Sequence, residues 1–240
     1  MGLLDLPASA LSWADGHLST VLPALWRIVL WGAIGAALSL GLYWLLSPQA
    51  RIERIVDEER RLKTTLKDDT LDMADGLAAS KDLLRLAFAR IGLVLVPVLL
   101  ATLPIISLMT WLDSHYAHTL PPPGQTASVK VEPEVGEGRW VNGDVPPPRI
   151  EVVNGDGSIL QSLPMSVAVP IVEKWVWWNA LIGNPLGYLP DDSPIERIVI
   201  GLPASEYLSF GPDWLRGWLA PFLISLLVFS LFFKIAFRIH

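Results

Sequence analysis

The sequence predicts an α-helical membrane protein with three transmembrane helices, a charged cytoplasmic helical hairpin and a small β-rich extracytoplasmic domain. Three observations support this fold class. Hydrophobic residues make up 52% of the 240 residues and charged residues only 18%. Three apolar segments have the length of roughly 20 residues that a helix needs to cross a bilayer. The long segment before the third of them has the turn-rich composition of β structure instead.

Composition also excludes several classes of function. The chain has 24 acidic and 18 basic residues, a net charge of −6, which does not favour nucleic-acid binding. It has no cysteine, which excludes disulfides, thiolate metal sites and cysteine nucleophiles. No phosphate-binding loop, nucleophile elbow or zinc-peptidase motif occurs. We therefore expect no active site and no cofactor, and a protein that is not an enzyme.

The predicted membrane spans differ in their polar residues. The first contains one ionisable residue, Arg27, and the second contains none. Arg27 could hold a polar substrate segment within the bilayer, or its side chain could extend to the headgroups. A stripe of small residues that includes Gly32 and Gly41 would let another helix approach the first span closely. The three spans are residues 26–46, 91–112 and 214–233.

Residues 1–25 precede the first span and combine apolar, small and acidic residues. They fit a short amphipathic helix on the outer membrane surface, with Trp13 at headgroup depth. A partly ordered tail is the alternative.

Residues 47–90 join the first two spans and carry most of the charge. The last forty of them hold nine Lys or Arg and nine Asp or Glu. Apolar residues recur at heptad spacing through Leu62, with Glu59 interrupting the pattern. A turn near residues 68–70 would return the chain in a second arm that includes Leu84. We expect two antiparallel arms in a coiled-coil-like hairpin; the alternative is a solvated charged loop.

Residues 113–213 are predicted to form the β-rich domain. Asn142-Gly143 and Asn154-Gly155 are typical of hairpin turns. Residues 170–181 are rich in tryptophan and fit a short helix or a buried strand pair. The expected strands are residues 128–131, 149–153, 159–163 and 195–200. The densest aromatic run would bind a protein partner or lipid, or else form an aromatic core: Trp175, Trp177 and Trp178.

Two local patterns have some of the residues of a metal site. Asp113, His115 and His118 follow the second span, and two imidazoles three residues apart could share a metal in a membrane enzyme. A third strong ligand is missing, which favours surface residues. Residues 154–158 (NGDGS) begin like a calcium loop but lack its later glycine and acidic residue, which favours a plain turn. We expect no metal site.

The distribution of basic residues predicts the orientation. The hairpin holds nine basic residues, whereas residues 113–213 hold five basic and thirteen acidic ones. Residues 1–25 have no Lys or Arg, and the tail, residues 234–240, has two. The positive-inside rule then places the N-terminus outside and the hairpin and C-terminus in the cytoplasm. The protein is expected in a bacterial inner membrane.

This arrangement resembles the YidC-type membrane-protein insertase superfamily, especially its short three-span relatives. The likeness lies in residues 43–54 (YWLLSPQARIER), the charged arms, and residues 98–112 and 215–238. Those relatives have an outside N-terminus, a cytoplasmic coiled-coil hairpin between the first two spans and a C-terminus inside. The domain of about a hundred residues before the third span is not a feature of them. The relatives often have a basic residue on the first span, and Arg27 is the matching residue here.

The resemblance implies an insertase-like protein that assists the insertion, folding or assembly of other membrane proteins. Its partners would be the lipid bilayer and membrane-protein clients. We expect no nucleic-acid partner. Arg27, Leu62 and Leu84 would contact the client. The alternative is a non-catalytic scaffold or accessory subunit of a larger membrane or envelope complex. In that case the extracytoplasmic domain would bind fixed partner subunits.

Overall fold

The computed structural model describes residues 2–66, 73–142 and 147–237. Among these residues three helices are long and apolar enough to cross a membrane, as the sequence predicts. They are Ala24–Leu46, Gly76–Tyr116 and Leu219–Ala236. The helices are α1 (Ala8–Leu18), α2 (Ala24–Leu46), α3 (Gln49–Thr65), α4 (Met73–Tyr116), α5 (Asp213–Arg216) and α6 (Leu219–Phe237).

The chain forms two compact units. The first contains Met1–Gly32 and Ile106–Leu226, and the second contains Ala33–Ile105 and Leu227–His240. The first unit holds all six strands of the described chain: β1 (Ser128–Glu132), β2 (Glu137–Val141), β3 (Arg149–Val153), β4 (Ile159–Pro164), β5 (Ile171–Glu173) and β6 (Arg197–Gly201).

The strands form two antiparallel three-stranded sheets, in the orders β1-β6-β5 and β2-β3-β4. Buried and exposed side chains alternate along β3 and β6, as a strand with one face on a core requires. Ile150 and Val152 from one sheet and Ile198 and Ile200 from the other belong to one hydrophobic core. The predicted β-rich region is confirmed. Strand β2 was not predicted, and β5 lies in the segment for which a short helix or a strand pair was predicted.

The loops of this region differ in detail from the sequence prediction. Residues 154–158 form the turn between β3 and β4, in which the Asn154 N–H donates to the Ser158 carbonyl at 2.8 Å. The left-handed residue is Gly157, with φ +89°, rather than Gly155. Residues 170–181, predicted as a short helix or a buried strand pair, contain one strand, β5, and the short 3₁₀ helix Trp177–Ala180. Gly143, from the other predicted turn, lies outside the described residues.

The third apolar helix begins at Leu219 rather than at the predicted residue 214. Gly217 is extended, with φ −69° and ψ 179°, and separates α5 from α6. The Arg216 carbonyl accepts a hydrogen bond of 2.7 Å from the Tyr207 N–H. Because that carbonyl is used by a neighbouring segment, the helical hydrogen-bond pattern stops there.

Small residues bring α6 close to the first part of α2, as the stripe on the first span predicts. A Cβ added at Gly32 would lie 2.7 Å from Ser225 Oγ, and the Ser225 hydroxyl donates to the Val29 carbonyl at 2.6 Å. A Cβ added at Gly41 would meet nothing within 4 Å. Close packing of the stripe is therefore present at Gly32 and not at Gly41.

Helix α4 runs for 44 residues from the charged segment into the apolar one, and its part up to Ile105 belongs to the second unit. Pro97 and Pro104 lie inside it. On α3, Ile52 and Glu59 are buried. The predicted turn at residues 68–70 and the last three residues of the tail lie outside the described residues. The coiled-coil hairpin stays a prediction.

Candidate functional site

The first unit contains a buried carboxylate. Asp15, on α1, is 9% exposed and accepts hydrogen bonds from three side chains. The Trp31 indole N–H donates to Oδ1 at 2.9 Å and the Tyr116 hydroxyl donates to the same oxygen at 2.6 Å. The Arg27 guanidinium forms an ion pair with Oδ2. We call these four residues the aspartate cluster.

Helical spacing explains how the cluster assembles. Arg27 and Trp31 lie four residues apart on α2, which places them on one face. Tyr116 is the last residue of α4 and Asp15 lies in the last turn of α1. Two consecutive helices, α1 and α2, and the end of the distant helix α4 therefore contribute to one polar site.

A second set of contacts holds α1 against α4. Ser12 lies three residues before Asp15, on the same face of α1. Its hydroxyl accepts a hydrogen bond of 2.9 Å from the Trp111 indole and lies 3.0 Å from His115 Nε2. Trp111 and His115 are four residues apart on α4. The residues before α2 are thus an ordered helix packed on the unit, and not the partly ordered tail of the alternative prediction.

The charges of the aspartate cluster balance. The Arg27 and Asp15 side chains are 16% and 13% exposed, so water screens them little. The Arg27 guanidinium also lies 5.4 Å from the centroid of the Tyr116 ring, within cation–π range. A buried charge is stable only when it is paired and hydrogen-bonded, and here the carboxylate has three donors. The cluster is suited to holding helices together rather than to proton transfer.

The segment before α5 contacts the same region. The Tyr207 hydroxyl donates to the Tyr116 carbonyl at 2.8 Å. Burial raises the pKa of Tyr207, because the phenolate would lose its hydration. The hydroxyl therefore stays protonated and remains a donor.

The sequence predicts two alternative roles for Arg27, client binding and contact with headgroups. The structure gives a third arrangement, in which the guanidinium is paired with Asp15. One signal in the sequence pointed to it: Asp15 is an acid in an apolar segment, twelve residues before the only ionisable residue of the first span. Two such opposite charges in apolar surroundings are expected to pair.

The other predicted binding residues lie on the surface. Leu84 is 61% exposed, and Leu62 is half-buried. The aromatic run also lies outside the β core, because Trp175 is 53% exposed, Trp177 71% and Trp178 49%.

The N-terminus runs beside the aromatic run. The Leu4 N–H donates to the Leu181 carbonyl at 2.9 Å, and the Gly183 N–H donates to Asp5 at 2.7 Å. These bonds attach the first residues of the chain to the loop that follows Trp178.

The two patterns weighed as metal sites are used in local structure. His115 contacts Ser12, Ser114 and the Trp111 carbonyl, while His118 forms a β-bridge with Ala204. Within the described ranges no three His, Cys, Asp or Glu side chains are grouped so that they could hold a metal ion.

The turn between β3 and β4 uses its own acidic residue. The Asp156 carboxylate accepts from the N–H and the hydroxyl of Ser158, at 2.9 and 2.6 Å. These bonds lower the pKa of Asp156.

The second unit has a buried acid of its own. Glu59, on α3, is 7% exposed. Its carboxylate lies 3.5 Å from Arg90 Nη1 on α4 and 3.9 Å from Lys63 Nζ. The residue that interrupts the heptad pattern is thus paired with a base on the following helix.

Comparisons with known proteins identify no relative of this chain. The sequence matches no model of a protein family, and neither the curated proteins nor the solved structures give a match.

Proposed function

We propose that this protein is an insertase-like membrane protein without catalytic activity, which assists the insertion or assembly of other membrane proteins. Its N-terminus would lie outside and its α3–α4 connection in the cytoplasm. One observation carries the proposal. The second membrane-length helix, α4, continues without interruption from a charged segment into an apolar one that contains two prolines.

The prolines support a partly polar path along α4. Proline has no N–H, so Pro97 and Pro104 cannot donate to the carbonyls of Leu93 and Leu100. Inside a bilayer such carbonyls need another donor, which water or a passing polar segment can supply. These two carbonyls would lower the cost of moving a polar flank past the helix.

The start of α4 supports contact with a client. Leu84 is 61% exposed on the charged segment, and Leu77, about two helical turns earlier, is 75% exposed. The ion pair between Glu59 and Arg90 joins α3 to α4 on the C-terminal side of these two leucines. An exposed apolar surface next to a membrane helix suits an emerging apolar segment.

Photo-crosslinking tests the proposal. A photoreactive amino acid replaces Leu84 in one variant and Ile159 in another; Ile159 is similarly exposed, at 58%, but lies on β4. Ribosome-bound nascent chains of several membrane proteins are presented to membrane vesicles that contain each variant. We expect adducts at Leu84 and none at Ile159. No adduct at Leu84 with any client, or equal yields at both positions, would remove the insertase proposal.

The prolines provide a second test. Pro97→Ala with Pro104→Ala restores two helical hydrogen bonds. We expect this variant to be at least as stable as the parent protein but slower in an insertion assay with purified components. Undiminished insertion by the variant would show that the freed carbonyls contribute nothing.

A second function is favoured by a separate observation. Three tryptophans of one short segment are about half-exposed or more, and the last of them, Trp178, lines a groove of about 710 Å³ together with Trp218. Exposed tryptophans beside a groove are typical of protein interfaces. A scaffold subunit would bind a fixed partner there.

Mild detergent extraction followed by size measurement tests the scaffold proposal. A partner should co-purify in fixed stoichiometry, and Trp177→Ser should release it, whereas Trp13→Ser, at an equally exposed tryptophan of α1, should not. A chain that always elutes alone would contradict the scaffold.

A further inference from the structure

A groove between α3 and α4 in the second unit has features of a lipid site. It has a volume of about 480 Å³. Two arginines of α3, Arg51 and Arg54, lie at it, and both are exposed. The remaining lining is apolar or small: Ile55, Ala89, Gly92 and Leu93.

The two arginines are available to an anion. They lie three residues apart on α3, so their side chains project from one face. Neither forms an ion pair with any described residue, although Arg90 and Lys63 both pair with Glu59. Guanidinium groups bind phosphate through paired hydrogen bonds, and two of them at this spacing can share one phosphate diester.

The apolar part of the groove leads away from this charge. Arg90 is the last basic residue of α4 before an uncharged run of 22 residues, 91–112. Gly92 and Leu93 therefore lie where the helix changes from charged to apolar, the level at which a bilayer has its headgroups. A Cβ at Gly92 would meet nothing within 4 Å, so the groove is open at that point.

We infer that this groove binds one anionic phospholipid of the bilayer, with its phosphate on Arg51 and Arg54 and the start of an acyl chain along Leu93. Charge selects the headgroup, because the described residues that line the groove include two bases and no acid. The apolar lining selects a lipid over free phosphate. The inference needs only that α4 crosses a membrane, and not that the protein inserts clients.

Lipid binding to the purified full-length protein in a neutral detergent tests the inference. Native mass spectrometry compares dioleoyl phosphatidylglycerol with dioleoyl phosphatidylcholine at equal concentrations. We expect a clear preference for phosphatidylglycerol. Arg51→Gln with Arg54→Gln should weaken its binding by about 25-fold, since each base near an anionic headgroup contributes about a factor of five.

Two further variants separate charge from shape. Arg85→Gln removes an exposed base of α4 that does not line the groove, and should leave binding unchanged. Gly92→Leu keeps every charge and fills the open groove, and should reduce phosphatidylglycerol binding. A thermal melt of each variant checks that it is folded.

Three results would overturn the inference. Equal binding of the two lipids would remove the role of charge. An unaffected Arg51→Gln, Arg54→Gln variant, or an equal loss in Arg85→Gln, would place the lipid elsewhere. Displacement of the lipid by millimolar inorganic phosphate, or by an acidic peptide, would mean that the arginines recognise an anion without its acyl chain.

Discussion

Replacing Asp15 by alanine tests whether the aspartate cluster holds α1 in place. The change leaves the Arg27 guanidinium buried without an anion, and the Trp31 and Tyr116 donors without an acceptor. Removal of one partner from a buried ion pair destabilises a protein by about 3–5 kcal/mol. Because both side chains keep 13–16% of their exposure, water can reach them once the pair is broken. We therefore expect the lower limit, about 3 kcal/mol.

The measurement is thermal unfolding in detergent, followed by the intrinsic fluorescence of the 11 tryptophans. For a chain of this size a loss of 1 kcal/mol lowers Tm by about 2–4 °C, so Asp15→Ala should lower it by about 6–12 °C. Asp15→Asn keeps an oxygen acceptor for the indole and the hydroxyl but loses the charge. Its Tm should lie between those of the parent and Asp15→Ala.

A double variant distinguishes the ion pair from simple loss of packing. Asp15→Ala with Arg27→Met removes both charges, and should recover part of the loss, because no unpaired charge stays buried. Two results would refute the reasoning: a fall in Tm below about 2 °C for Asp15→Ala, or a double variant no more stable than that single one.

Three further predictions concern packing, pH and orientation. Gly32→Ala should lower stability by about 1–3 kcal/mol because its Cβ would overlap a serine of α6, whereas Gly41→Ala should not lower it; thermal melts compare them. Burial raises the pKa of Tyr207, so its contribution to stability is complete below about pH 10 and is lost as pH rises through the raised pKa. Tyr207→Phe should flatten that alkaline loss in a Tm series, and an unchanged slope would contradict it. In this cysteine-free chain, an impermeant maleimide added to intact cells should label Gly155→Cys but label Lys81→Cys only after permeabilisation; the reverse pattern would invert the proposed orientation.

Much of the fold could be predicted because its signals are local. Twenty apolar residues in a row restrict a segment to a membrane helix or a buried core, whatever the rest of the chain does. Strands β3 and β6 follow from alternation alone, since their inward residues are large and branched: Ile150, Val152, Ile198 and Ile200. Such patterns need no knowledge of the partner strand.

Strand β2 shows where local signals fail. Its sequence, EGRWV, has one large buried residue, Trp140, and a glycine that weakens the strand pattern. Gly138 is explained only by a strand of the other sheet, because a Cβ there would overlap Val129 Cγ1 of β1. The reason for the glycine is a contact that the sequence pattern does not contain.

The site could be predicted only in part for the same reason. Arg27 stands out within its span, and the sequence marks it as unusual. Its partner is separated from it by a turn, and Tyr116 is about a hundred residues further along the chain. The heptad pattern likewise marked Glu59 as an interruption, but the pairing with Arg90 depends on how α3 and α4 pack. The partner of a buried charge is therefore set by non-local contacts, which a sequence pattern does not contain.

The aspartate cluster also limits the proposed mechanism. A client that bound Arg27 would have to replace the Asp15 carboxylate, and the Trp31 and Tyr116 donors would then lose their acceptor as well. The client would need to supply an equivalent buried anion, because any lesser contact leaves the guanidinium uncompensated. Most membrane segments have no such group. Client binding at Arg27 and packing of α1 therefore exclude each other, and an insertase role depends on α4 and its two prolines rather than on the charge in the first span.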